Sequence, residues 1–360
     1  MPKNIVICCD GTGNQFGTVN SNVVKLYSVL VNDPARQTTY YHPGLGTMGA
    51  PGALTRLAQG WTRMLGLAFG YGLMGNLGDA YRFLMNAYEP GDRVFLFGFS
   101  RGAYTVRALA AMLHMFGLIA KGNDGLIPYA ARLFRRRNQE TFRIAAEFKA
   151  AFSRPCKPHF IGVWDTVSSV GWIYDPLKLP YTAHNPDIAV GRHAVAIDER
   201  RCFYRQNLWG AAAPGQDVRQ VWFAGVHSDI GGGYPEPESG LSKITLEWMV
   251  REARAAGLLV NESKLERVLG AAGGGFAPPD PGALMHRSLH GFWWLLEFWP
   301  KRYTAPSETG GFTTRWRIPR GRPRQIPPGS VIHETVFQRR QTVPGYRPPN
   351  LPAEFSVDHK

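Results

Sequence analysis

A serine flanked by glycines is the residue of this sequence best suited to covalent chemistry. Gly98-Phe99-Ser100-Arg101-Gly102 follows an apolar run at 94–97 and precedes a stretch at 103–113 with the composition of a helix. A serine in a G-x-S-x-G pattern between a strand and a helix is typical of a nucleophile elbow, whose strained turn exposes the hydroxyl. Short Gly/Ser patterns also arise by chance, but the flanking strand and helix favour the elbow. We therefore predict that Ser100 is a nucleophile.

Two other polar residues follow apolar runs that are typical of buried strands. Asp165 follows the run at 160–164, and His227 follows the run at 221–226. In open α/β sheets the catalytic groups lie at the carboxyl ends of the strands, and Ser, Asp, His is the chain order of the α/β-hydrolase triad. We predict that His227 accepts the proton of Ser100 and that Asp165 orients the imidazole. The expected reaction is acyl transfer to the serine, completed by water.

Other residues compete for the roles of base and acid. Among the ten histidines, His42 also follows an apolar segment, but it precedes Ser100 and so breaks the chain order. Asp175 and Asp229 are alternatives for the acid. Asp229 lies two residues beyond His227, which suits it better to shaping that turn or supporting the site.

The turn after the first apolar run, at 10–14, is the candidate for the oxyanion hole. Such a hole needs two N–H donors, one from the residue after the nucleophile and one from a loop after an earlier strand. We predict the backbone N–H of Arg101 as the first donor and that of Gly11 or Thr12 as the second. The turn lacks the Walker pattern, so nucleotide binding is not expected.

A metal site is the rival interpretation of the same strand ends. Asp10, His227 and Asp229 are residue types that chelate divalent cations. Carboxylates and histidines at adjacent strand ends also form plain hydrogen bonds, and no cysteine or histidine pair has ligand spacing. We therefore expect neither a metal nor a cofactor, and we assign Asp10 and Asp229 supporting roles.

Strands that alternate with helices predict one α/β-hydrolase-like domain over 1–360, with a mostly parallel sheet covered by helices on both faces. Two segments depart from this pattern. The Gly-rich, apolar stretch at 44–78 is interpreted as a lid or cap, with packed loops as the alternative. The Gly/Pro-rich extension at 270–360 is expected to hold little regular structure and to pack on the core. Its aromatic stretch at 292–299 suits a core helix slightly better than an interfacial segment.

The amino-acid composition indicates which binding partners and which cellular compartment to expect. Lys plus Arg exceed Asp plus Glu by 14 residues, which favours anionic surfaces such as phospholipid headgroups. The charge is dispersed apart from Arg135-Arg136-Arg137 and an Arg-rich run from Arg315 to Arg324, and we see no nucleic-acid motif. Four cysteines without disulfide spacing, no signal-peptide pattern and no membrane-spanning apolar run predict a cytoplasmic protein.

Several segments together carry a family resemblance. They lie at 9–14, 22–27, 98–103, 162–167 and 223–234, with closing segments at 333–336 and 346–351. In them the chain resembles the uncharacterised α/β-hydrolase-domain family that includes type VI secretion phospholipase effectors of the first lipase class. The resemblance implies a triad of Ser100, Asp165 and His227, release of a fatty acid from glycerophospholipids, and export by a type VI-like system.

These observations favour a serine carboxylic-ester hydrolase that acts on a lipid or phospholipid-like substrate. A thioesterase or an acyltransferase with the same triad is the alternative within the same chemistry. A metal-dependent phosphoesterase and a non-catalytic interaction protein that keeps the fold are the alternatives outside it. We also expect peripheral contact with an anionic membrane surface and no specific nucleic-acid binding.

Overall fold

A computed structural model of the chain defines the fold described below. The residues that it describes are 2–11, 17–44, 69–136, 138–167, 171–172, 175–176, 179–271, 275–291, 293–306 and 312–359.

A parallel sheet of eight strands forms the centre of the molecule. The described residues also include three small two-stranded sheets, which pair β4 with β5, β7 with β8 and β11 with β12. All the strands, in chain order, are β1 (Asn4–Cys9), β2 (Gln37–His42), β3 (Arg93–Phe99), β4 (Leu118–Ile119), β5 (Ser153–Arg154), β6 (Pro158–Trp164), β7 (Gly171–Trp172), β8 (Asp175–Pro176), β9 (Val190–Ala196), β10 (Asp217–Phe223), β11 (Lys301–Pro306), β12 (Phe312–Arg317), β13 (Ser330–His333) and β14 (Phe355–Asp358). The order across the central sheet is β14-β13-β10-β9-β6-β3-β1-β2, and neighbouring strands all run parallel. The carboxyl ends of the eight strands therefore share one edge. The predicted α/β-hydrolase-like fold with a mostly parallel sheet is confirmed.

Helices cover both faces of this sheet. They are α1 (Asn22–Val29), α2 (Phe69–Ala87), α3 (Arg101–Phe116), α4 (Ile127–Phe134), α5 (Gln139–Phe152), α6 (His227–Gly231), α7 (Gly240–Ala255), α8 (Glu262–Val268), α9 (Trp293–Glu297) and α10 (Thr335–Thr342), with 3₁₀ turns at Asp124–Leu126, Cys202–Tyr204 and Glu236–Glu238. Alternate residues of β1 explain the two layers. Ile5 and Ile7 lie in the core with α2 and α3, whereas Val6 and Cys8 lie in the core with α1 and α7. A strand covered on both faces has an unbroken apolar sequence, as the run at 5–9 does.

The C-terminal extension departs from its prediction. Sparse regular structure was the expectation for 270–360, but β13 and β14 extend the central sheet at one edge. Each strand has four residues, and Ile332 packs with Trp222 and Val336 in a small core of its own. Strands this short owe their conformation to such long-range contacts more than to a local sequence pattern, which explains the wrong expectation.

The aromatic stretch of the extension also differs from its preferred interpretation. It forms the five-residue helix α9, and its Trp294 and Leu295 are 39% and 65% exposed. The interpretation as a core helix is therefore wrong.

The predicted lid at 44–78 lies largely outside the described residues, since 45–68 are not described. Its last ten residues form the first half of α2, which begins at Phe69. Within the described part of the chain, no helix combines the length and the apolarity that crossing a membrane requires.

Candidate active site

The turn between β3 and α3 holds Ser100 in a strained conformation. Its φ and ψ are 57° and −118°, a region that residues with a side chain rarely occupy. A Cβ at Gly102 would lie 2.1 Å from the carbonyl oxygen of Cys9, and a Cβ at Gly98 would lie 2.6 Å from the backbone nitrogen of Ala103. Both glycines of the G-x-S-x-G pattern are therefore required for α3 to pack against the sheet edge, and the packing fixes the serine at the start of the helix.

The other two predicted side chains lie within hydrogen-bond distance at the same edge. Asp165 follows β6 directly, and His227 begins α6 after β10. His227 Nε2 lies 2.9 Å from Ser100 Oγ, and its Nδ1 lies 2.5 Å from Asp165 Oδ2. An ionised carboxylate has no proton to donate, so Nδ1–H donates to Asp165 and Nε2 accepts from the serine hydroxyl. This arrangement leaves Nε2 able to take the serine proton.

Arg324 forms an ion pair with both oxygens of Asp165. Its Nη1 lies 2.6 Å from Oδ1 and its Nη2 lies 2.9 Å from Oδ2, while the backbone N–H of Ala196 donates to Oδ1 at 3.0 Å. Burial would raise the pKa of Asp165, but the charges of Arg324 and His227 hold that pKa well below its usual range. Asp165 is therefore a charged carboxylate at zero exposure.

Burial dominates the titration of His227. Removal from water lowers the pKa of its imidazole below the ordinary value, although Asp165 and Glu199 oppose that shift. The ring is in van der Waals range of Phe99 and Tyr204, with both centroid distances at 4.6 Å. His227 is therefore neutral, and able to act as a base, at pH values where an exposed histidine is already charged.

A second buried carboxylate, Glu199, organises the loop that faces His227. It accepts hydrogen bonds from the backbone N–H of His227 at 3.2 Å, from the hydroxyl of Ser288 at 2.9 Å and from the guanidinium of Arg201. Burial would raise the pKa of Glu199, but the ion pair with Arg201 holds it below the usual value. The Arg201 guanidinium also lies over the ring of Tyr204, 3.7 Å from its centroid. The loop is thus fixed by charge-assisted bonds.

The predicted oxyanion donors are only partly described. Arg101 is the first residue of α3, so its backbone N–H belongs to the helix N-terminus beside Ser100. The Gly11 N–H donates to the carboxylate of Asp10, at 2.6 Å. Thr12 lies outside the described residues.

Asp10 and Asp229, the predicted supporting residues, have separate sets of hydrogen-bond partners. Asp10 accepts from the hydroxyls of Ser21, at 2.6 Å, and Tyr41, at 3.0 Å. Asp229 accepts from the Val226 N–H and from His286, whose Nδ1 lies 2.7 Å from Oδ1. In the described ranges, no three His, Cys, Asp or Glu side chains are grouped to hold an ion. The side chain of Asp175, the other alternative acid, is outside the description.

Sequence reasoning missed Arg324 and Glu199. Arg324 ends the Arg-rich run that the sequence analysis relates only to non-specific attraction of anionic surfaces, yet its side chain is only 5% exposed. A solvated and a buried arginine look alike in an Arg/Pro-rich segment, and the partner lies 159 residues away. Glu199 follows β9, a strand that contains polar residues and therefore lacks a recognisable apolar run. The sequence gives no sign of this strand end, and so no sign that Glu199 lies at the sheet edge.

The chain matches one protein-family model. The model is described as "T6SS, Phospholipase effector Tle1-like, catalytic domain", and the match covers residues 3–252. The matched segment contains Ser100, Asp165 and His227, whereas Arg324 lies beyond it.

Similar individual proteins are longer than this chain. The uncharacterized protein YEL023C of Saccharomyces cerevisiae is 38% identical over 220 residues, which are 57% of this chain and 32% of the yeast protein. An uncharacterized protein from Pseudomonas aeruginosa, in a crystal structure, is 20% identical with a TM-score of 0.42, over 72% of this chain and 46% of that one. The Tle1 effector in complex with the VgrG spike of the type 6 secretion system is also 20% identical, with a TM-score of 0.33, over 67% and 52% of the two chains. The chain thus spans about a third to a half of the length of these relatives.

Proposed function

The chain belongs to the Tle1-like family of T6SS phospholipase effector catalytic domains, and from this membership we propose that it is a serine hydrolase that cleaves a carboxylic ester of a lipid. The observation that carries the proposal is a pair of linked hydrogen bonds. One joins Ser100 Oγ to His227 Nε2 at 2.9 Å, and the other joins His227 Nδ1 to Asp165 Oδ2 at 2.5 Å. Nucleophile, base and acid in this order are the arrangement that acyl transfer through a serine requires.

The proposed reaction has two halves. The Ser100 oxygen attacks the ester carbonyl while His227 Nε2 takes its proton, and the tetrahedral intermediate collapses as the imidazolium protonates the departing alcohol. Water then attacks the acyl-serine while His227 takes its proton. The bond between the acyl carbon and Ser100 Oγ breaks as the imidazolium returns that proton to Oγ, which releases a fatty acid and restores the serine. Asp165 keeps the imidazole in the reactive tautomer and stabilises its charged form in both halves.

The developing oxyanion needs two donors near Ser100. We assign one to the Arg101 N–H at the start of α3. The Gly11 N–H donates to Asp10, so Thr12 is the better second donor of the two that the sequence predicts.

An exposed apolar surface supports a lipid as the substrate. Leu295, Phe298 and Trp299, in and after α9, are 56–65% exposed. The surface is connected to the base, since the Tyr204 ring lies 4.6 Å from that of His227 and 5.6 Å from that of Trp293. Exposed aromatic and aliphatic side chains enter the headgroup region of a bilayer, and the net charge of +14 suits anionic lipids. The proposal therefore includes peripheral contact with an anionic membrane.

Fluorophosphonate labelling with mass mapping is the direct test, combined with hydrolysis assays from short p-nitrophenyl esters to phospholipid vesicles. We expect the label on Ser100 and loss of all ester hydrolysis in Ser100→Ala. Leu295→Ser should lower the rate on anionic vesicles and leave the rate on a short soluble ester unchanged. Unchanged hydrolysis by Ser100→Ala would refute the serine mechanism, and loss of activity on adding a chelator would favour a metal-dependent phosphoesterase instead.

The proposal extends to the organisation of the chain and its destination. We propose one catalytic domain over 1–360, with 44–78 as a lid or cap and 270–360 as an extension packed on the core. Membership in an effector family makes export by a type VI system part of the proposal. Its test is the amount of protein in culture medium from secretion-competent and secretion-deficient cells.

A further inference from the structure

Arg324 contacts Asp165 at the candidate active site, but the proposed reaction gives it no role. It donates to both carboxylate oxygens of Asp165 in a two-point ion pair, at 2.6 and 2.9 Å, and both partners are buried. Arginine matches a carboxylate in this fork geometry, which fixes orientation as well as charge. The same carboxylate oxygen, Oδ2, also receives the Nδ1–H of His227, so the guanidinium touches the atom on which the base depends.

The position of Arg324 is itself well determined. Its guanidinium also donates to the carbonyl oxygens of Ala196, at 3.0 Å, and Tyr204. The side-chain amide of Asn350 donates to the backbone carbonyl of Arg324 and to that of Ile197, both at 3.0 Å. These bonds tie the extension to the loop after β9, so the cation is held from both its backbone and its side chain.

The charges around His227 come from several elements. The charged groups are Asp165 after β6, Glu199 and Arg201 after β9, and Arg324 in the extension. The hydroxyl-bearing side chains of Ser100 and Tyr204 also contact the ring, and the charge of Asp165 acts on the buried His193 of β9. Glu199 is paired with Arg201 in the same way that Asp165 is paired with Arg324. Each buried anion that faces the imidazole therefore has an arginine of its own.

We propose that Arg324 is a positioning residue of the active site, which fixes the Asp165 carboxylate for His227 and balances its charge. The proposal rests on the serine-hydrolase function proposed above. It makes the extension, which lies beyond the family match, part of the catalytic machinery.

Two effects follow from removing the guanidinium. In Arg324→Met the carboxylate loses the partner that orients it, and a displacement on the order of 1 Å lowers kcat up to about 100-fold, with KM unchanged. The unbalanced carboxylate also attracts the proton on His227 more strongly. The acid limb of the kcat/KM profile then moves to higher pH by about one unit.

The experiment compares kcat, KM and the pH profile for Arg324→Met and Arg324→Lys, with thermal melts to measure the folded fraction. The lysine keeps the charge but loses the fork, so we expect it to lower kcat while the acid limb stays near that of the wild type. Arg192→Met is the matched control. Arg192 is a buried arginine that pairs with Asp217 and Glu252, at the start of β10 and near the end of α7, so its loss should leave kcat per folded molecule unchanged.

Wild-type kcat and an unmoved acid limb in both Arg324 variants would overturn the proposal. An equal fall of kcat in Arg324→Met and Arg192→Met would also overturn it, since that shows general loosening. If Arg324→Met does not fold, the lysine variant decides by its kcat alone. The serine mechanism is judged separately, because Ser100→Ala must be inactive whatever the Arg324 variants do.

Discussion

Two acidic loops at neighbouring strand ends show how the sheet edge sets charge. Asp165 follows β6 and is fully buried, whereas Asp198 follows the adjacent β9 and is partly buried. Arg324 and His227 hold the pKa of Asp165 well below its usual range against the effect of burial. Burial raises the pKa of Asp198 to about 6, and the hydrogen bonds from the Gly225 N–H and the Tyr346 hydroxyl, with the charge of Arg339, offset only part of that rise.

The contrast shows that depth in the fold does not decide ionisation. The two charge-assisted bonds from Arg324 offset the cost of removing the Asp165 carboxylate from water. The two hydrogen bonds from the Gly225 N–H and the Tyr346 hydroxyl do not offset that cost for Asp198. The charge of the Asp165 carboxylate therefore depends on its partners, and Asp198 lacks an arginine that hydrogen-bonds to it.

The largest expected difference between the two loops is in activity. Asp165→Asn should lower kcat by about 10³- to 10⁴-fold, because the amide stabilises the wrong tautomer of His227 and cannot stabilise its charged form. Asp198→Asn should change kcat less than about threefold, since Asp198 contacts neither His227 nor Ser100 in the bonds described above. Steady-state kinetics on the folded fraction measures both. A loss of similar size in the two variants would break the distinction.

A smaller difference is expected in stability against pH. The pKa of Asp198 is about 6 in the folded protein and near the ordinary aspartate value of 3.8 in the unfolded chain, so the folded state binds the proton first as the pH falls. Its contribution is fully present below about pH 4 and is lost as the pH rises through 6, with a slope of up to about 1.4 kcal/mol per pH unit. Asp165 has the opposite sign, because its lowered pKa adds stability above about pH 4 that is lost in acid.

Urea unfolding of the wild type and Asp198→Asn at pH 4.5, 5.5 and 7 isolates this contribution. The free energy of unfolding of the wild type should rise relative to that of the variant between pH 7 and 4.5. A constant difference across the three pH values would show that Asp198 stays charged like Asp165.

The smallest effect concerns one hydroxyl. Tyr346→Phe removes the donor at 2.9 Å from Asp198 and should cost about 1 kcal/mol of stability at neutral pH. The loss should shrink in acid, where the carboxyl is protonated and needs that donor less. Tyr129→Phe, at a ring 40% exposed, is the control for loss of a tyrosine hydroxyl at the surface. A loss that does not change with pH would mean that Tyr346 acts through packing alone.

Local patterns predicted the parts of the molecule that local physics determines. β1 ends at Cys9, directly before the predicted turn at 10–14, because an apolar run suits a strand buried on both faces. The tight turn at Ser100 was predictable because its two glycines, Gly98 and Gly102, are required by close backbone contact. Asp165 and His227 were found at strand ends, and parallel strands bring such ends together; their catalytic roles stay predictions.

The sequence was uninformative where distant residues satisfy a polar group. β9 carries Arg192 and His193 inside the strand, which hides it from any test of hydrophobic periodicity. Arg192 is buried because Asp217 and Glu252 pair with it, and His193 Nε2 accepts the N–H of Thr166 at 3.1 Å. These partners belong to other elements, as the partner of Arg324 does.

The parallel sheet has a consequence for the order of folding. Parallel strands cannot be joined by a tight hairpin, so each pairing in the central sheet brings together segments that are separated by a long connection. Chains dominated by such distant pairings fold slowly, because the entropy of loop closure is lost before the contacts form. β14 pairs with β13 at the sheet edge, and Arg324 lies just before β13. Arg324 and β13 follow Ser100, Asp165 and His227 in the chain, so a nascent chain carries those three residues before it carries the cation that pairs with Asp165.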